Sequence, residues 1–329
     1  MGDRSIFDIV IIGGGPSGLS CAVEGLKAGL NVVVLEQGSV VDAIRRFPVN
    51  MVWFSTPELL EIGGIPFVIP TVRPTRADTV RYYQKVVSHF GLEIRSHDPA
   101  QSVRPIDGQF SVVTRMDREY RGRNVVVATG YFDHPARLDV PGESLPHVFH
   151  YYNEPFSFFG CDVVVVGGRN SAVEAALDLY RNGARVTLIH RGERLSDGVK
   201  YWILPDIENR LKAGQIVGRF GTTVREIRPG RVVVGGTGGS ESIRADAVFV
   251  LVGFRPDTER IRDFGIDIDP ESLAPVHDPT TLETGVPGLF VAGSVVAGKD
   301  TNRVFVENGR LHGAVIVAEV KRRLGASRR

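Results

Sequence analysis

At residues 10–19 the chain reads Val10-Ile11-Ile12-Gly13-Gly14-Gly15-Pro16-Ser17-Gly18-Leu19. The apolar run before the glycines predicts a buried parallel strand, and the residues after them predict a helix to about Ala28. Gly13, Gly15 and Gly18 match the Gly-x-Gly-x-x-Gly fingerprint, which allows a tight turn, a close pyrophosphate and close helix–strand packing. The free N–H groups at the start of such a helix bind phosphate. The stretch therefore predicts a dinucleotide-binding unit.

An acidic residue at the expected distance strengthens this prediction. Glu36 ends the next apolar run, Val32–Leu35, and lies 23 positions after Gly13. A carboxylate at this offset accepts hydrogen bonds from both hydroxyls of an adenosine ribose. The alternative is a chance glycine turn, which would not account for the strand, the helix and the acid around it.

The composition indicates a globular protein of about two domains. The chain has 329 residues, of which 43% are hydrophobic and 23% are charged. A net charge of +1 does not favour nucleic acid, and no apolar run approaches the ~18 residues of a membrane span. The two cysteines, Cys21 and Cys161, form no Cys-x-x-Cys motif. They predict no metal site and favour a reducing, cytoplasmic setting.

A second copy of the pattern begins in the middle of the chain. The apolar run Val163–Val166 predicts another buried strand, and Gly167-Gly168-Arg169-Asn170-Ser171-Ala172 follows it. A helix is predicted over residues 171–180. Gly167 lies 154 positions after Gly13, so the repeat is a whole nucleotide-binding unit.

The second unit carries basic residues where the first carries an acid. His190 has the offset of Glu36, Arg191 follows it and Arg194 is close by. A carboxylate would repel a 2′-phosphate, whereas an arginine pairs with it through charge-assisted hydrogen bonds. The pattern favours NADPH over NADH, and a surface charge at a strand end is the alternative for Arg191. Arg169 replaces the second glycine, so its side chain turns outward or its cation replaces part of the lost backbone contact.

Two nucleotide units in one chain are typical of a flavoprotein that passes hydride from NADPH to flavin. The first unit is therefore expected to bind FAD and the second NADPH. The predicted FAD residues are Gly13, Gly15, Pro16, Ser17, Gly18, Glu36, Gln37, Phe54, Ser55, Thr56, Val103, Ala128, Thr129, Gly130, Gly293 and Ser294. The predicted NADPH residues are Gly168, Arg169, Asn170, Ser171, His190, Arg191 and Arg194.

No catalytic residue is assigned from the sequence, and Ser17 and His312 are the two candidates. His312 lies near the start of a helix predicted over residues 309–324, where a positive helix end can tune the flavin. It is a candidate proton donor, and the alternative is a structural histidine with satisfied hydrogen bonds.

The order of these segments resembles the low-molecular-weight thioredoxin reductases over essentially the full chain. The segments that carry the likeness are Gly13–Gly18, Ala128-Thr129-Gly130, Gly167–Ala172, His190-Arg191 and Gly288–Gly293. The resemblance implies an α/β fold of two Rossmann-like, doubly wound domains. It places an NADPH domain, residues 136–253, inside an FAD domain formed by residues 1–135 and 254–329.

Two departures argue against the chemistry of thioredoxin reductases. Those enzymes keep a Cys-x-x-Cys dithiol shortly before the second fingerprint, where this chain has only Cys161. Ser294 follows Ala292-Gly293 where those enzymes place an aspartate on the ribityl chain of the flavin. The reduction of thioredoxin by dithiol exchange is therefore not expected.

A narrower resemblance accounts for both departures. The segments 56–63, 168–177, 199–210 and 307–313 resemble the YpdA family, which is identified as bacillithiol-disulfide reductases. The resemblance implies an enzyme that uses FAD and NADPH to reduce the disulfide of a small thiol in a bacterial cytoplasm. A homodimer or higher homo-oligomer is expected, with a small-molecule disulfide or a small redox protein as partner.

One position leaves the acceptor open. Well-known members of the YpdA family have a cysteine in the fingerprint turn, and here that position is Ser17. A hydroxyl cannot form a mixed disulfide. Cys21 lies one helical turn further on, where a core residue and a displaced nucleophile are the two interpretations. The alternatives to a disulfide reductase are an NADPH-dependent reductase of ferredoxin, flavodoxin, quinone or oxygen, and a flavin-bound redox sensor with little turnover.

Overall fold

A computed structural model describes residues 6–236 and 239–326, and every structural statement refers to these residues. The strands are β1 (Ile6–Ile12), β2 (Val32–Leu35), β3 (Ile94–Arg95), β4 (Ala100–Ile106), β5 (Gln109–Thr114), β6 (Glu119–Val127), β7 (Val148–Phe149), β8 (Asp162–Val166), β9 (Arg185–Ile189), β10 (Val217–Arg219), β11 (Thr222–Arg228), β12 (Arg231–Gly236), β13 (Gly239–Arg244), β14 (Ala247–Val250) and β15 (Leu289–Val291). The helices are α1 (Pro16–Lys27), α2 (Asp42–Arg45), α3 (Arg76–Phe90), α4 (Asn170–Arg181), α5 (Leu204–Lys212), α6 (Thr258–Asp263), α7 (Val306–Gly309) and α8 (His312–Ala326). Short 3₁₀ helices cover Pro57–Leu59, Phe156–Phe158 and Gly293–Ala297.

The chain divides into two compact units, and the second is inserted into the first. The first unit combines Met1–His134 with Arg255–Arg329, and the second is Pro135–Phe254. Both units contain parallel sheets, as expected of the predicted α/β class. Among the helices of residues 6–236 and 239–326, none has the length and apolar character needed to cross a membrane.

The sheet of the first unit has the order β3-β2-β1-β6-β5-β4, with β15 also paired to β6. Strand β1 lies inside this sheet because Ile9–Ile12 are apolar and at most 4% exposed, as parallel strands covered on both faces require. Strand β6 pairs in parallel with β15 along Val125–Val127 and antiparallel with β5 along Glu119–Gly122. The carboxyl ends of β1, β2, β6 and β15 therefore meet at one edge of the sheet.

The second unit contains a five-stranded parallel sheet and a smaller antiparallel sheet. The parallel sheet has the order β10-β9-β8-β14-β7, and β11-β12-β13 form the antiparallel sheet. Val163–Val166 in β8 are nearly fully buried between two hydrophobic clusters. This arrangement places the ends of β8 and β9 side by side, as β1 and β2 are placed in the first unit.

The glycine turns have the conformation that their spacing predicts. Gly13 has a φ of +114°, and an added Cβ would lie 2.4 Å from the carbonyl oxygen of Ala128. A Cβ on Gly18 would lie 2.0 Å from the Gly13 carbonyl oxygen, so α1 can approach β1 only because residue 18 is glycine. In the second unit Gly167 has a φ of +147°, and its added Cβ would lie 2.4 Å from the carbonyl oxygen of Leu251.

Apolar residues at helical spacing predict a helix over Arg76–Phe90, and these boundaries hold, whereas the predicted start of the C-terminal helix is wrong. Helix α3 spans Arg76–Phe90 as predicted, closed by a Thr75–Asp78 capping box and by Gly91 in the left-handed region. The helix predicted over 309–324 corresponds to α8, which begins only at His312, while Gly309 ends the separate short helix α7 and residues 310–311 lie between the two. At this break the Ser20 hydroxyl of α1 donates to the Arg310 carbonyl oxygen at 2.5 Å.

Candidate functional site

The N-terminus of α1 presents backbone donors to open space. Gly15 is the N-cap, no side chain caps the helix, and the first turn contains no acidic residue. The first N–H groups of a helix have no partner within it, and they carry the positive end of the helix dipole. A Cβ built on Gly15 would meet nothing within 4 Å. The turn therefore has both the donors and the room that a pyrophosphate requires.

Glu36 is fixed beside this turn by two backbone amides. Its Oε2 accepts from the Gly14 N–H at 2.6 Å, and its Oε1 accepts from the Gly38 N–H at 2.7 Å. The residue is 6% exposed, and this burial raises the pKa of its carboxyl, against the lowering effect of the two amides. The carboxylate thus lies at the end of β2 in the orientation that a ribose-binding acid needs.

Two further loops reach the same helix end. A Cβ on Gly293 would lie 2.7 Å from the Ser17 hydroxyl oxygen, so the turn after β15 touches the second residue of α1. A Cβ on Gly130 would lie 3.4 Å from the Ser294 hydroxyl oxygen, so the loop after β6 touches the same turn. The structure therefore brings together three predicted FAD segments that lie more than a hundred residues apart in sequence.

Three further predicted FAD residues, Gln37, Phe54 and Ser55, contact other side chains of the first unit. Gln37 Nε2 donates to Asp133 Oδ2 at 2.5 Å, and the ring of Phe54 meets Phe305 edge-on at 6.0 Å. Ser55 is 5% exposed, and its hydroxyl donates to the carboxylate of Glu307. Glu307 was not among the predicted site residues.

Two more predicted positions differ in exposure. Thr56 is exposed, whereas Val103 is 2% exposed in β4, opposite Val112 of β5. The side chain of Val103 is part of the hydrophobic core, so only its backbone is left to contact a ligand.

In the second unit the ring of His190 takes the place that Glu36 has in the first. A Cβ on Gly168 would lie 2.4 Å from His190 Nδ1, and a Cβ on Gly192 would lie 2.9 Å from its Nε2. Only glycines can therefore flank this imidazole. Burial lowers the pKa of His190, and the cations of Arg191 and Arg169 lower it further.

Two arginines beside His190 have no counter-ion. Arg169 and Arg191 are exposed, and within residues 6–236 and 239–326 their side chains form no hydrogen bond or ion pair. Arg169 has an extended backbone, with a φ of −111°, so the residue in place of the second glycine is unstrained. Arg194 instead pairs with Asp197 at 3.0 Å, and both side chains are largely exposed. The loops after β8 and β9 thus offer an anion two arginines that are unpaired among the described residues.

The N-terminus of α4 is bordered by the loop that follows β9. Asn170 Nδ2 donates to the Gly198 carbonyl oxygen at 3.0 Å, and its Oδ1 accepts from the Lys200 N–H at 2.9 Å. Like α1, helix α4 has no side-chain cap and no acidic residue in its first turn. Ser171, at its second position, is exposed. The helix end keeps free donors suited to phosphate.

Comparison with known proteins agrees with this geometry. The family model described as pyridine nucleotide-disulphide oxidoreductase matches residues 10–293. The chain belongs to this family. Members are flavoprotein oxidoreductases, and this chain is an oxidoreductase that uses FAD and NADPH. It is 39% identical to bacilliredoxin reductase Bdr of Bacillus subtilis (strain 168) over 316 residues, which cover 95% of this chain and 97% of that protein.

Solved structures confirm the predicted subgroup and fold. The bacillithiol disulfide reductase Bdr (YpdA) from Bacillus cereus has a TM-score of 0.94 and 37% identity, covering 97% of this chain and all of that one. The thioredoxin reductase of T. acidophilum has a TM-score of 0.78 at 23% identity, covering 97% of this chain and 98% of that one. Likeness to the YpdA family and the thioredoxin-reductase-like arrangement of two Rossmann-like domains are therefore confirmed.

The cysteines of this family member are poorly suited to thiol exchange. Cys21 is 0% exposed in α1, and a Cβ on Gly313 of α8 would lie 2.7 Å from its backbone nitrogen. Burial raises the pKa of Cys21 to about 12, so the nucleophilic thiolate is essentially absent near neutral pH. Cys161 is half-buried at the start of β8, in the other unit. Of the two interpretations, the structure supports Cys21 as a core residue.

The two catalytic candidates both adjoin the turn at Gly293. The Ser17 hydroxyl faces Gly293 and Gly309, and among the residues that the structure describes it has no hydrogen-bond partner. His312 Nδ1 accepts from the Gly293 N–H at 3.0 Å. Burial lowers the pKa of His312, and the nearby His277 lowers it further, which favours the neutral ring that an acceptor at Nδ1 requires. His312 thus holds the turn through its Nδ1, and Ser17 only packs against it.

Proposed function

We propose that this chain reduces the disulfide of a small thiol, with bacillithiol disulfide as the substrate, at the expense of NADPH. One NADPH and one proton supply the two electrons and two protons that convert a disulfide into two thiols. The observation that carries this proposal is the likeness to the bacillithiol disulfide reductase Bdr (YpdA) from Bacillus cereus, with 37% identity over 97% of the chain. Free cysteines and NADPH as donor favour a cytoplasmic setting, and a homodimer remains our expectation.

We assign FAD to the first unit. The N-terminus of α1 at Gly15 would hold the pyrophosphate, and Glu36 would accept the hydroxyls of the adenosine ribose. Ser17, Gly130 and the Gly293–Ser294 turn would border the remainder of the cofactor, because they converge at the same helix end. When bound, FAD accepts hydride from NADPH and passes the electrons to the acceptor.

We assign NADPH to the second unit. The N-terminus of α4 would hold the pyrophosphate of NADPH, as α1 does for FAD. Arg191 and Arg169 lie beside His190 and have no counter-ion among the residues that the structure describes, so the 2′-phosphate would supply the negative charge that pairs with them. Arg194 is already paired with Asp197, so it would contribute less than Arg191 to binding the 2′-phosphate.

The chain offers no accessible thiol of its own in the unit assigned to FAD. Cys21 is enclosed between α1 and α8, and Ser17 cannot form a mixed disulfide. The residues of this site therefore bind and orient the reactants, and they do not form a covalent adduct with the substrate. Disulfide reduction in this chain would proceed without a protein cysteine.

Steady-state NADPH consumption against a panel of acceptors tests the proposal. We expect turnover with bacillithiol disulfide to exceed that with ferredoxin, flavodoxin, quinone and oxygen, and NADH to be the poorer donor. Parallel reactions with NADH and without acceptor serve as controls. Fast transfer to a one-electron acceptor with no disulfide turnover would replace the proposal by a general flavin reductase. Negligible turnover with every acceptor would indicate a redox sensor.

A further inference from the structure

The first residue of α8 is tied to the turn that follows β15. The Gly293 N–H donates to Nδ1 of His312 at 3.0 Å, across 19 residues of sequence. Gly293 has a φ of +76°, a left-handed conformation that glycine adopts without strain. The turn is therefore held by one specific acceptor as well as by its own backbone.

This turn occupies a crowded position in the first unit. An added Cβ on Gly293 would meet the Ser17 side chain at 2.7 Å, and one on Gly309 would meet the same hydroxyl at 2.9 Å. On its other side, Ser294 lies against Gly130. A displacement of Gly293 would therefore change the spacing of the loops after β1 and β6 at the same time.

We infer that His312 is a positioning residue of the cofactor site, whose Nδ1 holds the Gly293 turn in the conformation that binds FAD. The inference rests on the assignment of FAD to the first unit. His312 touches the turn, and it acts on the cofactor through Gly293 rather than by contact or proton transfer. The role requires an acceptor at the Nδ1 position and nothing from Nε2.

The surroundings of His312 favour the neutral imidazole, which can accept a hydrogen bond at Nδ1. The residue begins α8, and the positive end of a helix disfavours an added cation. Burial and the neighbouring His277 also keep its pKa below the ordinary value for histidine. A neutral ring with a free electron pair on Nδ1 is therefore the stable state of this contact.

Three substitutions of His312 distinguish the effect of the Nδ1 acceptor from the effect of side-chain size. The side-chain oxygen of Asn is in the position of Nδ1, and that of Gln is in the position of Nε2. We expect His312→Asn to bind FAD as the parent does. His312→Gln and His312→Leu should raise the FAD dissociation constant about tenfold, because the Gly293 N–H loses its partner. Titration of FAD into apoprotein, followed by fluorescence, measures all four proteins.

Hydrogen exchange provides a readout that does not depend on FAD. In apoprotein the Gly293 amide should exchange faster in the Gln and Leu variants than in the parent and the Asn variant. His89→Gln, at an exposed position in α3, is the matched control and should leave both measurements unchanged.

The outcomes separate this inference from the FAD assignment. Equal FAD affinity in all variants, or an Asn variant as weak as the Gln variant, would overturn the role of Nδ1. If the parent apoprotein bound no FAD at all, the assignment of the first unit would fail instead. The Asn and Gln variants differ by one methylene, so their comparison stands even where His312→Leu does not fold.

Discussion

A Gly15→Leu variant is expected to fold normally and to be isolated almost free of FAD. Gly15 has a φ of −78° and a ψ of 176°, which any residue adopts, and its Cβ position is open in the protein. A leucine there would project into the space that the pyrophosphate needs beside the N-terminus of α1. We expect the FAD dissociation constant to rise by about a hundredfold, roughly 2.8 kcal/mol.

The absorbance of bound flavin measures the loss of FAD, and the thermal unfolding temperature of the apoprotein shows whether the variant folds normally. Gly285→Leu is the matched control, since Gly285 also has no neighbour at its Cβ position and lies outside both candidate sites. It should keep a full complement of FAD. A Gly15→Leu protein that retained stoichiometric FAD would show that the pyrophosphate does not approach this turn.

An Arg191→Ala variant is expected to lose its preference for NADPH. The Arg191 guanidinium has no ion-pair partner among residues 6–236 and 239–326, and it lies beside His190 at the end of β9. A hydrogen bond to a charged group contributes roughly 1.5–3 kcal/mol. Removing it should weaken the binding of NADPH by about ten- to a hundredfold. The affinity for NADH should be nearly unchanged, because NADH lacks the 2′-phosphate.

The rate of flavin reduction as a function of NADPH and NADH concentration gives both affinities. Arg181→Ala is a suitable control, because Arg181 ends α4, about 17 Å from the N-terminus of that helix, and pairs with Asp206. This control variant should have the same affinities for NADPH and NADH as the parent. Equal losses for NADPH and NADH in Arg191→Ala would mark a structural arginine and refute the assigned 2′-phosphate contact.

The local features of the nucleotide units could be predicted because they depend on short stretches of sequence. Gly13 and Gly18 have steric requirements that only glycine meets, so their spacing specifies the strand, the turn and the helix. Helix α3 could be predicted from apolar residues at helical spacing, and the cap residues that bound it in the structure also act within one turn. Likeness to the YpdA family followed from longer motifs and was confirmed by the relatives.

The contacts between distant segments could not be predicted, because no periodicity or cap encodes them. Ser55 meets Glu307 and Gly293 meets His312 only after the sheet has placed the ends of β1, β6 and β15 together. The motif at 307–313 was a visible signal, but it indicated family rather than contacts. At the break between α7 and α8, the Arg310 carbonyl oxygen likewise accepts from the hydroxyl of Ser20, which lies 290 residues away in sequence.

The most direct test is a Cys21→Ala, Cys161→Ala double variant, examined anaerobically with NADPH and then with bacillithiol disulfide. Because Cys21 is fully buried with a pKa raised to about 12, and Cys161 has no second cysteine beside it in a Cys-x-x-Cys motif, neither thiol is expected to take part. The account predicts that the rate of flavin bleaching and the rate of disulfide turnover both equal those of the parent. Slow bleaching, or loss of disulfide turnover with FAD bound and the fold intact, would contradict it, since a protein thiol would then be essential.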